Sequence, residues 1–139
     1  YLLHDIKRTT RFHGLPLSDK AKFGFNSVYA CRAVIWARQE TPEMVAPLVL
    51  ALYRAHWMHA RNIDTVQTVI EITRETGLCP HNCEKTLKDP AIKETFQNEV
   101  DSAVENGVFG SPTFVVAGEP FWGSDRMPML EKWLEQGGW

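Results

Sequence analysis

Residues Gly107-Val108-Phe109-Gly110-Ser111-Pro112-Thr113-Phe114-Val115-Val116, with Gly118 to Arg126 close behind, constrain the fold more than any other stretch of this chain. A Ser-Pro step opens the β-branched and aromatic run Thr113–Val116, Ala117-Gly118 turns the chain, and Pro120–Trp122 makes a second short strand. X-Pro bonds adopt cis at small cost and tight turns make use of it, so a cis Ser111-Pro112 bond is expected at the strand entry. Ser124-Asp125 then reads as the cap of a final helix whose N-terminus can hold an anion. Two strands alone make a marginal sheet, so further strands are expected to pair with them.

Everything before Gly107 reads as helix and loop. Residues 1–13 form a helix closed by Gly14 and Pro16, and 15–25 form a polar loop. Asn26-Ser27 caps a helix to about Gln39 with Val28, Cys31, Val34 and Ile35 inward. Thr41-Pro42 starts another, with Met44, Leu48, Leu52, Tyr53, His56 and Trp57 on one apolar face and Pro47 able to bend it. Asp64 or Thr65 caps a helix burying Val66, Val69, Ile70 and Thr73 and ending at Gly77. Cys79-Pro80 starts a short helix. Pro90 starts a longer one that buries Ile92, Phe96, Val100 and Val104, and the final helix turns Met127, Leu130, Trp133 and Leu134 inward. The expected division is a helical segment, 1–107, and a ββα segment, 108–139.

At 139 residues the chain is one domain's worth of core. A formal net charge of −2 gives no basic footprint, which argues against nucleic acid. The longest apolar run, Met44 to Tyr53, is ten residues and contains Pro47, too short to span a bilayer. Three cysteines are too few for a disulfide scaffold, which points to a reducing cytoplasm or organelle matrix. The chain opens on Tyr1-Leu2-Leu3-His4-Asp5, already helical in pattern, and reads as part of a longer protein.

The chemistry sits in the C-terminal segment. A cis-proline at Pro112 leaves the Ser111 N–H and C=O at an open edge, where an extended peptide can pair in strand fashion; an ordinary strand entry has the same residues. In Trp122-Gly123-Ser124-Asp125-Arg126, free N–H groups favour a carboxylate and Asp125 favours an ammonium, while Gly123 permits close backbone approach. The γ-glutamyl end of glutathione carries both charges. Other motifs read as structural. Cys79-Pro80-His81-Asn82-Cys83 has three residues between its cysteines and follows a helix, not the strand a redox pair needs. A reactive Cys79 stays open as an alternative. His56 and His59 have helical metal-ligand spacing without a third ligand, so core packing is favoured and no metal is expected. Cys31 reads as a small hydrophobe.

Gly107–Leu134 closely resembles the C-terminal part of 2-hydroxychromene-2-carboxylate isomerases, which group with kappa-class glutathione transferases in the DsbA-like branch of the thioredoxin superfamily. The resemblance extends back through Asp5, Arg8, Gly14-Leu15-Pro16, Asn26-Ser27, Trp57, Arg61-Asn62-Ile63-Asp64 and Gly77-Leu78. It implies an α/β, thioredoxin-like fold with a large helical insertion, of which this chain is the mostly helical part plus a C-terminal hairpin and helix. By that likeness Ser111 and Pro112 hold the cysteinyl backbone of glutathione, and Trp122, Gly123, Ser124 and Asp125 hold its γ-glutamyl end. Phe25 falls at an aromatic substrate contact. The implied reaction is a glutathione-dependent isomerisation in aromatic degradation, by a cytoplasmic homodimer; a transferase or disulfide oxidoreductase on the same fold, or an inactive truncated form, is the alternative. The family's strand-turn-helix bearing the serine that meets the thiol, and its substrate-gripping lysine and asparagine, have no counterpart in these residues. The catalytic group is therefore expected outside them.

Overall fold

The computed structural model describes residues 1–78 and 82–139. They divide into two compact units, Tyr1–Phe96 and Gln97–Trp139.

The first unit is helical. Helix α1 (Leu2–Phe12) ends at Gly14, whose φ of +64° is open to a residue without a side chain. The chain then runs irregularly to α2 (Val28–Glu40), a 3₁₀ turn (Pro42–Met44), α3 (Val45–Tyr53), a π-helical turn (Arg54–Met58) and α4 (Val66–Glu75). Helix α5 (Cys83–Leu87) follows, and α6 (Pro90–Glu105) carries the chain across the division. The α4 start behaves as its sequence predicts: Thr65 accepts from the Thr68 N–H at 3.3 Å. The expected helix start at Cys79-Pro80 lies outside the described residues. Cys83 is buried at the start of α5 and disulfide-bonded.

Leu48, Leu52, Val69, Ile70, Ile72, Leu87 and Ile92 form the core with the small residues Ala30, Ala33, Ala37 and Ala55. The inner face of α2 differs from the expected one. Ala33 and Ala37 are fully buried beside Ile35 and Trp36, whereas Val28, Cys31 and Val34 are half-buried. Small residues let neighbouring helices approach closely, so Ala33 and Ala37 set the innermost line, with Val28, Cys31 and Val34 beside it. Tyr53 also leaves the expected apolar face and is exposed. Helix α3 keeps α-geometry past Pro47, which sits in its first turn, where the missing N–H has no intrahelical partner to lose. The departure from α-geometry comes later, at Arg54.

The second unit is an antiparallel hairpin and a helix. Strand β1 (Thr113–Val116) pairs with β2 (Glu119–Trp122) in the register Thr113 opposite Trp122. Ala117 and Gly118 both have positive φ, +50° and +85°, as a two-residue turn matched to strand twist requires. A 3₁₀ turn (Ser124–Arg126) leads into α7 (Met127–Gln136). Phe121 is buried and meets Trp133 edge-on at 5.7 Å. Two expected apolar faces are not buried. Val100 and Val104 of α6 are exposed, as are Met127 and Leu134 of α7, while Leu130 and Trp133 are half-buried. A hairpin of two four-residue strands covers only a short length of helix, which leaves these rows uncovered among the described residues.

Candidate functional site

Six of the seven residues singled out in the sequence lie together in the second unit. The Ser111-Pro112 bond is cis, as expected. Thr113 Oγ1 donates to the Gly110 carbonyl at 2.6 Å, closing the entry turn. The hairpin register then brings the distant motif alongside: Trp122 lies opposite Thr113, and the Gly123 N–H donates to the Pro112 carbonyl at 2.9 Å. Residues separated by a whole hairpin are thereby stapled edge to edge.

Two glycines let this happen. The Trp122 indole lies so close over Gly110 that a Cβ there would overlap it. Gly123 adopts φ +103° and ψ +149°, a region essentially confined to glycine, and a Cβ on it would run into the Asp125 carboxylate. Phe109 packs on Trp122 with centroids 5.0 Å apart, and both rings keep large exposed areas. Asp125 is exposed and sits 3.5 Å from the Arg126 guanidinium.

One expectation is corrected. Ser124 and Asp125 do not cap the final helix through their side chains. Gly123 takes the capping position, Ser124 and Asp125 fall inside the 3₁₀ turn, and α7 begins at Met127 after Arg126. The Asp125 carboxylate is therefore not spent on a backbone cap.

The residues present fit the peptide thiol implied by the sequence. Among the described residues nothing hydrogen-bonds the Ser111 N–H or C=O, so both are left for an extended peptide to pair with. The space beside Gly123 is taken by the Asp125 carboxylate, which stays exposed and can receive an ammonium.

Phe25 belongs to the first unit and is half-buried in a cluster of rings. Its centroid is 4.0 Å from His56 and 5.7 Å from Trp57. Buried His56 places Nε2 2.9 Å from the Lys22 carbonyl, which only accepts, so Nε2 carries the hydrogen. Among the described residues, His56 is one of the two buried polar side chains of this part of the chain, and no group of three or more His, Cys, Asp or Glu placed to hold a metal ion occurs.

Sequence reasoning did not find how this loop is held. The Ser18 N–H donates to the Trp57 carbonyl and the Asn26 N–H to the Asp64 carboxylate, both at 2.8 Å. The Arg61-Asn62-Ile63-Asp64 stretch was the available signal, since Asn62 and Asp64 are residues that fold loops through their side chains. Arg61 braces the same loop by donating to both Glu75 oxygens, at 3.0 and 2.7 Å, and this pairing raises its pKa above the ordinary guanidinium value. A cavity of about 500 Å³ beside α4 and α5, lined by Gln67, Ile70, Arg74, Asn82 and Lys85 among others, contains none of the predicted site residues. Among the described residues no helix is long and apolar enough to cross a membrane.

The chain is 28% identical to a 2-hydroxychromene-2-carboxylate isomerase of Pseudomonas putida, covering 94% of this chain and 63% of the relative. It is 26% identical to glutathione S-transferase kappa 1 of Rattus norvegicus, covering 96% of this chain and 67% of that protein. It therefore spans about two thirds of the relatives' length. A solved structure of a 2-hydroxychromene-2-carboxylate isomerase superposes with a TM-score of 0.83 at 26% identity, over 98% of this chain and 65% of the other. The expected thioredoxin-like fold of DsbA type is thus the observed one. Matched over residues 1–135 by the model of the DsbA-like thioredoxin domain, the chain belongs to that family.

Proposed function

We propose that this chain is the glutathione-holding and helical portion of a glutathione-dependent isomerase acting on 2-hydroxychromene-2-carboxylate or a close aromatic relative. The observation that carries the reading is the Gly123 N–H to Pro112 carbonyl bond at 2.9 Å, which sets the Ser111 backbone beside the Trp122–Asp125 segment. In this reading Ser111 pairs through its N–H and C=O with the cysteinyl unit, held at the strand edge by Pro112. Trp122 covers the γ-glutamyl stem, Gly123 allows it to lie against the backbone, and Ser124 and Asp125 take its polar end. Bound glutathione supplies a thiolate that adds to the conjugated acid, allows ring opening and bond rotation, and is released unchanged by elimination. The chain's own part is to fix the peptide so that its sulfur has one orientation. Phe25, with Trp57, offers an apolar surface for a flat aromatic acid. The relatives named for isomerase and transferase activities support this reading. It includes a cytoplasmic location and a homodimer.

A transferase is the second reading, favoured by the likeness to glutathione S-transferase kappa 1. One assay separates the two. The protein carrying this chain is incubated with 2-hydroxychromene-2-carboxylate, with and without glutathione, and products are followed by absorbance and mass. Isomer formation that requires glutathione without consuming it is expected. An accumulating thioether favours the transferase, and no glutathione dependence overturns both.

A further inference from the structure

We propose that His56 and Asp64 are positioning residues that hold Phe25 and Trp57 as a wall for the flat ring of an aromatic acid. This rests on the isomerase reading for the ligand's identity, but the arrangement stands on the first unit's own geometry.

Consecutive residues of an α-helix point about 100° apart and do not face each other. His56 and Trp57 are consecutive, yet their rings meet edge-on at 4.6 Å. Both lie in the π turn Arg54–Met58, closed by the His59 N–H donating to the Arg54 carbonyl at 3.1 Å. Single π turns inside α-helices recur at functional sites. Phe25 lies against both rings, and Phe23 adds a fourth at 5.2 Å from Trp57.

The loop that delivers Phe25 is gripped on both sides of it. Before it, His56 Nε2 donates to the Lys22 carbonyl at 2.9 Å; directly after it, the Asn26 N–H donates to Asp64 at 2.8 Å. His56 keeps this grip at a cost, because its Nδ1 is buried with no hydrogen-bond partner among the described residues. An apolar side chain would pack there without that penalty but could not hold the carbonyl. The histidine thus fixes the loop rather than merely filling space. Phe25 and Trp57 are only half-buried, so part of each ring remains for a ligand, while His56 stays behind them.

The test compares His56→Leu, His56→Gln and Asp64→Ala with the unaltered protein. Calorimetry gives separate Kd values for glutathione and for 2-hydroxychromene-2-carboxylate, and turnover gives KM and kcat for the acid. His56→Leu and Asp64→Ala should raise Kd and KM for the acid about three- to tenfold, the worth of one ring contact, with glutathione Kd unchanged. His56→Gln, which keeps an N–H able to reach Lys22, should recover part of the loss. An unmoved Kd for the acid overturns the proposal, as does a parallel rise for both ligands, which would mean general loosening. If His56→Leu does not fold, Asp64→Ala, at a half-buried loop position, decides. Unaltered protein that binds neither ligand refutes the isomerase reading itself; unaltered protein that binds both, with variants that change nothing, refutes only the clamp.

Discussion

Replacing Gly123 by alanine is the sharpest perturbation of the second unit. At φ +103° and ψ +149° an L side chain is strained, which costs about 1–3 kcal/mol. The new Cβ would also collide with the Asp125 carboxylate. That carboxylate is exposed, so it can swing away, and the collision becomes a loss of placement rather than a further loss of stability. A solvent-exposed ion pair is worth up to about 1 kcal/mol, so displacing Asp125 should weaken glutathione binding by roughly fivefold. Gly137→Ala is the control. Gly137 has φ +74° with nothing near its missing Cβ and lies at the far end of α7, so alanine there should cost about 1 kcal/mol without touching binding. Unfolding followed by circular dichroism and calorimetric titration with glutathione read the two effects separately. Equal binding losses in the two variants, or an unchanged Kd in Gly123→Ala, would refute the reasoning.

Further outcomes follow from the packing and the charges. Leu48→Ala, at a position with no solvent exposure, should cost about 2–5 kcal/mol in urea unfolding; Val104→Ala, on the exposed row of α6, should stay within about 0.5 kcal/mol. Thr65→Ala removes the oxygen that accepts from the Thr68 N–H and should cost about 0.5–2 kcal/mol, measured the same way. The Lys88 ammonium, donating to Glu84 at 2.6 Å, holds that carboxyl below its ordinary range and is itself raised. A lowered carboxyl pKa gives stability that is present at neutral pH and lost as pH falls through the folded value. Glu84→Gln should therefore melt slightly below the unaltered protein at pH 7, and the difference should vanish in acid.

The hairpin and its flanking turns were legible because each local signal has one physical meaning. Ser111-Pro112, the Ala117-Gly118 turn and the run Thr113–Val116 all point to the same chain path. Gly123 occupies a conformation that favours glycine, but its capping position was not foreseen, because Ser124-Asp125 is also the usual residue choice for a cap. The α2 face was misread since periodicity weights large apolar side chains, and Ala33 and Ala37 carry little weight although they are the most deeply buried. The π turn at Arg54–Met58 left no periodic signature in so short a segment. The grip on Phe25 was hidden for another reason: Lys22 and Asn26 are far in sequence from their partners His56 and Asp64 and meet them only through the folded loop.

The measurement closest to the central claim is a titration of the isotopically labelled protein with glutathione, read by amide resonances. The account predicts saturable shifts at Ser111, Gly123, Ser124 and Asp125, with the Trp122 indole N–H moving on the same binding curve. Shifts confined to Gln67, Arg74 and Lys85 around the α4–α5 cavity, or no saturable shift at all, would contradict it.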